Sequence, residues 1–393
     1  MTPDTLSAYD RGVDVLRFRA LRWITAGLGA LLFAGFMTAA PSAAATSSLD
    51  VADQPVVIVQ VKGKGNDVTI RTWDRPTVQI ESGDEVPAVE RRTVVFGTPA
   101  VPLAVPIPQM PWVQRDASGQ ITGSGMMPPE DFPYAAFRPG PHDTVRVTAE
   151  AGAHLVVTVP ATTGILQVRV GGGQTSIDGY RGSNLFVVQN QGRVQLTNSS
   201  TTAFAQMGYG VLYAADDTFD RIRVRASAAH IVFEHCRSKQ IETSTVSGSI
   251  VYDGGTFDPG LARFESGSGN VALGVASAAQ LTGRSQDGHV YTQFDRRVPV
   301  EQRGDGEASA TLGGGGPLVN GISGHGNVYL YEGTLAGRRA SSPEWRAVHQ
   351  LFNAHRRAGR TAEPPPNPRA PQPPHTVIRR PPGTRFLHAG RFR

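Results

Sequence analysis

The chain has 393 residues, 39% of them hydrophobic, with 45 Gly, 29 Pro and a single cysteine, Cys236. So many turn-formers argue against long helices, and one cysteine excludes an internal disulfide framework or a multi-cysteine metal site. The formal net charge of +5 is unevenly placed: from Arg338 onward twelve arginines face only Glu344 and Glu363, a net +10 that leaves the rest of the chain at −5. Lys62, Lys64 and Lys239 are the lysines, so arginine carries the positive charge.

In chain order, the first feature is "WITAGLGALLFAGFMTAA" at residues 23–40, preceded by Arg17, Arg19 and Arg22 and followed by small residues through Ala45. A positive start, an apolar run and an A-x-A site describe a secretory signal peptide. A retained anchor is the alternative, because the run as a helix would span about 27 Å against a hydrocarbon core of ~30 Å. With residues 1–45 read either way, the body is expected to be exported, to the periplasm, the envelope or the medium, and to touch a membrane only if the segment is kept.

Residues 46–86 hold the first strands: "VVIVQVKGKGNDVTIRTWDRPTVQIES" alternates apolar and polar side chains between two breaks. Residues 87–142 contain eleven prolines, which cannot donate to a ladder, so this stretch reads as an insertion loop. From 143 to 335 strand character is continuous. Within it Ile177, Val194, Val211, Ile231, Ile250, Val271, Val290 and Val328 follow small or turn-forming residues at spacings of 17 to 21, the last gap being 38 with a degenerate copy, "ASATLGGGGP", inside it. Such a period marks a repeat architecture.

A unit of that length cannot bury its own apolar side, but copies stacked at the ~4.8 Å strand spacing can. The expected fold is therefore all-β, a β-solenoid with rungs of about 17–21 residues. Leu196, Tyr213, Phe233, Tyr252 and Leu273 are expected as one inward column. "SSPEWRAVHQLFNAHRRAG" at 341–359 has helix signals at both ends and Trp345, Val348 and Phe352 on one face. It reads as a short helix (341–358) capping the open end of the stack, or as a helix for a partner. Residues 359–393 are rich in Pro and Arg and read as a disordered or polyproline-like basic tail.

"HLVVTVPATTGILQVRVGGGQTSIDGYRGSNLFVVQNQGRVQL" (154–196) and "QIETSTVSGSIVY" (240–252) resemble the bacterial putative-adhesin β-strand-repeat family of unknown function. "NDVTIRTWDRPTVQIE" (66–81) resembles that family's opening hairpin. The resemblance covers roughly residues 56–332 apart from the proline-rich insertion, and it implies an exported β-solenoid without established catalytic residues.

Two sets of residues are candidates for function. Leu212, Val232, Val251, Ala272, Tyr291 and Tyr329 should form an outward apolar ladder. That is a contact face for an envelope polymer, glycan or protein partner, unless the insertion or the helix covers it. Glu234 and Asp253 fall in adjacent rungs, close enough to suggest the acid pair of a polysaccharide-active enzyme, against the plainer reading of two solvated corner acids. No catalytic motif, cofactor site or metal site is expected. His230, His235 and Cys236 lie on a strand that separates the last two onto opposite faces, and the "GKGNDVTI" and "SGSGNVALG" turns lack the tandem aspartates of a calcium-binding roll. The basic tail is suited to anionic surfaces, or is a solvated tail without a target, and nucleic acid is not expected for an exported chain. The expected function is thus a non-enzymatic envelope protein, an adhesin-like binding or scaffolding module. A β-helix enzyme and a self-assembling structural protein are the alternatives.

Overall fold

The computed structural model describes residues 45–83, 86–96, 111–115, 121–126, 140–338, 340 and 342–360. The leader, the basic tail and most of the proline-rich insertion lie outside the described residues. What is described is mostly strand, with one helix, α1 (Pro343–Arg360), and one 3₁₀ turn (Leu335–Gly337). Twenty-one strands form one open sheet, and Pro111–Arg115 with Ile121–Met126 forms a separate antiparallel pair.

The sheet is built by parallel pairing of each chain segment with the next. Val194 pairs with Leu212, Leu212 with Ile231, Ile231 with Ile250 and Ile250 with Val271, offsets of 18, 19, 19 and 21 residues. Each coil carries two strand segments whose inward side chains meet in one interior cluster, which includes Leu166, Leu185, Ala203 and Ile222 from the first segment and Leu196, Ala214, Phe233, Tyr252 and Leu273 from the second. Each such buried side chain contributes about 1.5–3 kcal/mol. Phe233 and Tyr252 are ring neighbours at 5.9 Å, as the expected column requires. Tyr213 is not in it: Ala214 occupies that level and Tyr213 points the other way. The expected register is one residue early at Val211, where Leu212 is the in-register residue, and two late at Ile177, where Thr175 pairs with Val194.

The bend between the two segments explains the recurring Ser/Thr-x-x-Gly phrase. Thr245, Ser266, Ser285 and Ser323 each accept the N–H of the glycine three residues on, Gly248, Gly269, Gly288 and Gly326, at 2.7–3.1 Å. The same hydroxyls donate to the equivalent carbonyl of the adjoining coil: Ser266 to Gly248 at 2.7 Å, Ser323 to Gly269 at 2.8 Å and Ser285 to Gly326 at 2.7 Å. A Cβ on Gly269 would lie 2.1 Å from the Gly248 oxygen, and one on Gly210 1.8 Å from that of Gly192, so glycine is required by the closeness of the coils. At the second corner one residue per coil is left-handed, at φ between 53° and 68°: Gly179, Asn198, Asp216, His235 and Gly254, types that tolerate that region.

The ends depart from a simple stack. Val271 pairs with Val328, and Val328 with Val290, so the last coil in sequence slots between two earlier ones. The "ASATLGGGGP" stretch is not a further coil: Glu307–Leu312 runs antiparallel to Ala279–Ser285, with Val300–Gln302 antiparallel beyond it. The other end mirrors this arrangement. Val56–Val61 lies between Gly140–Ala149 and Ile165–Asp178, and antiparallel Ala88–Phe96 pairs on the outer side of Gly140–Ala149. The proline-rich insertion is therefore shorter than expected, its two margins being paired strands. α1 does not cap an end, because antiparallel strands occupy the ends and the helix lies along a flank.

Removing the Ser266 hydroxyl (Ser266→Ala) strands a buried carbonyl and an N–H, and should lower unfolding free energy by about 1–3 kcal/mol. Gly269→Ala should cost about 1–3 kcal/mol through the forced separation of coils, while Ser268→Ala on the exposed tip should stay within about 0.5 kcal/mol of wild type. Urea midpoints for the three variants check this; equal midpoints would contradict the ladder.

Candidate functional site

The outward side chains form two flanks. On the first, a row one residue beyond the inward column runs through Gln195, Tyr213, Val232, Val251, Ala272 and Tyr329, with Tyr291 beyond. Of the two readings of this row, an open contact face or one covered by the insertion or the helix, the structure shows cover by the helix. Val232, Val251, Ala272 and Tyr329 are 0–2% exposed and form one cluster with Trp345, Val348 and Phe352 of α1. Leu212 is not in the row at all but in the interior, and only Tyr291, at the end of the row, is partly open.

Helix and row are matched in length. Eighteen helical residues extend about 27 Å, and the five strand spacings from the Tyr329 coil to the Gln195 coil span about 24 Å. α1 starts over the last coil, where Trp345 meets Tyr329 at 5.4 Å and Tyr331 at 5.9 Å, both edge-on. It runs back along the stack until Arg356 reaches Glu234. Ser342 caps it as its sequence suggests, with the Trp345 N–H directed at the Ser342 hydroxyl.

Glu234 and Asp253 are in register on neighbouring strands, as expected, but they are not solvated corner acids: each is 2% exposed. Glu234 accepts from the Tyr213 hydroxyl and pairs with the Arg356 guanidinium at 2.8 Å. Asp253 accepts from the Leu335 N–H at 2.7 Å and the Tyr331 hydroxyl at 2.9 Å. Burial pushes the Asp253 carboxyl above the ordinary aspartate range; its two donors oppose this and Glu234 adds to it. The pair thus anchors the helix and the segment leading to it. Tyr213, Tyr331 and Arg356 complete this site and do not stand out in the sequence; the signal was an arginine in the last turn of a helix whose partner acid lies over a hundred residues earlier.

A further buried acid sits just past the same corner, after left-handed Asp216. Asp217 is 1% exposed and accepts the Ser199 N–H at 2.6 Å. Burial raises its carboxyl to about 8. Cys236, 1% exposed, is beside it, and burial raises the thiol well above its usual range, which keeps it protonated and weakly nucleophilic. His235, at a left-handed corner, faces away with Asp216. Among the described residues no group of three or more His, Cys, Asp or Glu is placed to hold a metal ion.

The second flank is the outer side of the first strand segments. Toward the C-terminal coils it is an open polar groove of about 370 Å³ lined by Arg223, Arg225, Glu242, Leu261, Arg263 and Glu265. Arg223 bonds Glu242 at 2.9 Å across adjacent strands, and Arg263 pairs with Glu265 within its own strand. Leu261 and Leu318, side by side in register, are 41% and 44% exposed.

No family model matches the chain, and no curated protein matches it. Among solved structures, one described as a "putative cell adhesion protein" from Clostridium sporogenes aligns with 74% of this chain and 99% of its own length, at 6% identity and a TM-score of 0.23. A superposition that loose carries no argument about fold or function. Among the described residues no helix is long and apolar enough to cross a membrane.

Two outcomes follow from these acids. Asp253→Ala leaves the Leu335 N–H and Tyr331 hydroxyl buried without an acceptor and should cost about 1–3 kcal/mol, with faster amide exchange in α1 than in Asp253→Asn. For Asp217, the folded carboxyl keeps its proton to about pH 8 whereas the unfolded one loses it near 3.9. The folded state therefore binds the extra proton in this window, and its contribution to stability falls as pH rises from about 4 to about 8. Asp217→Asn should flatten that slope, read as the difference in melting temperature between wild type and variant at pH 5 and pH 8.

Proposed function

We propose that this chain is an exported, non-enzymatic β-solenoid that works in the cell envelope as an adhesin-like binding or scaffolding module. The observation that carries the reading is the constant 18–21-residue offset of parallel pairing through consecutive coils. It is the arrangement expected of a stacked repeat, whose quasi-one-dimensional flanks suit extended partners. The leader at residues 23–40 supports export.

Glu234 and Asp253 are engaged by Tyr213, Arg356, Tyr331 and the Leu335 N–H beneath α1, which favours a structural over a catalytic use of the pair. The antiparallel strands at both ends favour a discrete module over end-to-end assembly. With the helix on the first flank, the partner surface is the second, where the Arg223–Glu242 pair and the Arg263 guanidinium border exposed Leu261. Fixed donors and acceptors repeating at the ~4.8 Å strand spacing suit the hydroxyls and carboxylates of a glycan or envelope polymer laid along the stack. The arginine-rich tail adds a salt-sensitive attraction to anionic surfaces.

A binding screen of the full chain against envelope polymers and glycans tests this. Arg263→Ala with Arg223→Ala should weaken a hit about tenfold, near 1.4 kcal/mol, and truncation after Arg360 should reduce only the salt-dependent part. Cleavage of a uronate polymer that disappears in Glu234→Gln would overturn the non-enzymatic reading, and binding indifferent to both arginines would overturn the groove.

A further inference from the structure

The polar groove differs between its two ends. Its walls are two rows in register on three neighbouring strands: Arg223, Glu242 and Arg263 on one side, Arg225, Ser244 and Glu265 on the other. Strand alternation turns both rows outward, because Val224 and Phe264 between them belong to the interior cluster. The groove therefore runs across the strands, and two strand steps make it about 10 Å long.

At the Leu261 end the charges cancel. Arg263 turns Nε and Nη2 onto the Glu265 carboxylate beside it, and Leu261 with Leu318 continues the surface as an exposed apolar step. At the other end both walls are arginine. Glu242 accepts from the Nε of Arg223 at 2.9 Å and gives its second oxygen to the Gln240 amide at 3.2 Å. The terminal nitrogens of Arg223 make no hydrogen bond among the described residues, so the acid aims the guanidinium and leaves its outer edge available. Arg225, exposed and two residues on, is about 6.7 Å further along the strand. Over these three strands the outward side chains hold four arginines, Arg221, Arg223, Arg225 and Arg263, against two acids, Glu242 and Glu265. The chain before Arg338 carries −5 overall, so this positive excess is local. A basic groove on an acidic body draws anions to itself.

We propose that this groove takes an acidic glycan: a carboxylate or sulfate on one sugar sits between Arg223 and Arg225, and the sugar chain crosses Ser244 toward Leu261. The assignment rests on the reading of the groove as the partner surface, and it narrows that reading from glycans in general to those that carry an oxyanion. A planar guanidinium meets a two-oxygen anion with parallel N–H bonds. An arginine already oriented by Glu242 also loses less freedom on binding than a loose one. A neutral polymer would leave these donors to water and would not respond to the positive excess. At the far end the Arg263–Glu265 pair supplies donors and acceptors for hydroxyls, and Leu261 meets the apolar face of a sugar ring.

Titration calorimetry of the full chain tests this with three probes: polygalacturonate for the carboxylate, dextran sulfate for the sulfate and unmodified dextran for the neutral case. At least one acidic polymer should bind about tenfold more tightly than dextran, and which one does so identifies the anion. Arg225→Gln should weaken that binding about tenfold and lower the slope of log K against log salt by about one, with an unchanged melting temperature. Arg296→Gln removes the same charge from an exposed turn outside the groove, with the basic tail present in both variants, and should change neither quantity. Equal effects of the two variants would assign the attraction to net charge and overturn the proposal, as would binding to none of the probes. Dextran bound as tightly as the acidic polymers, and weakened by Arg223→Ala with Arg263→Ala, would overturn the oxyanion and leave the groove reading standing. Acidic polymer bound equally by wild type and by every groove variant would overturn the groove reading itself.

Discussion

The structure depends on how closely two coils approach at one bend. There a hydroxyl bridges its own turn and the next coil's carbonyl, and the glycine beside it has no room for a Cβ, as at Gly269 against the Gly248 oxygen 2.1 Å from where that atom would be. A hydrogen bond gives direction and a missing side chain gives distance; together they set the register of each coil on its neighbour. In the earlier coils a side-chain amide does the same work: Gln189 donates to Gly173 at 2.8 Å and accepts from Thr175 at 2.7 Å.

Once that register is fixed, every other column is fixed with it. Inward rows become the interior, and the row one residue on becomes a flat track on which a helix of matching length can lie. α1 is held on that track by apolar contact along its middle and by buried acids, Glu234 on Arg356 and Asp253 on the segment before the helix. Carboxylates that would be reactive in an open cleft are here positioning groups. The flank left over has a charged part, around Arg223, Glu242 and Arg263, and an aromatic part at Phe186 and Phe204.

The repeat was legible because its signal is chemical: hydroxyl, glycine and branched residue recur at 245–250, 266–271 and 323–328. Val194, Ile231, Ile250, Val271, Val290 and Val328 were placed correctly for that reason. Val211 misled because Leu212 beside it is also apolar, and Ile177 misled because a period of two makes it as inward as Thr175. The error at Val211 carried Tyr213 into the wrong row. The order of the terminal coils was not legible, since Val271 has equally suitable partners in Val290 and Val328 and nothing local chooses between them. The burial of Glu234 and Asp253 was hidden for a related reason: a carboxylate reads as solvated until the tyrosine, arginine or backbone N–H that meets it is known.

The interleaving at both ends bears on how such a molecule could change in size. Because the final coil in sequence, Leu318–Ser323 with Val328–Glu332, is wedged between two earlier ones, the edge of the column on that side is not formed by its last coil, whereas at the other side the first described strand, Ala45–Asp50, is outermost. A duplicated copy of the last coil would find its docking surface already taken. Gain or loss of a whole turn therefore fits the uniform middle, where the surrounding turns can close up around the change.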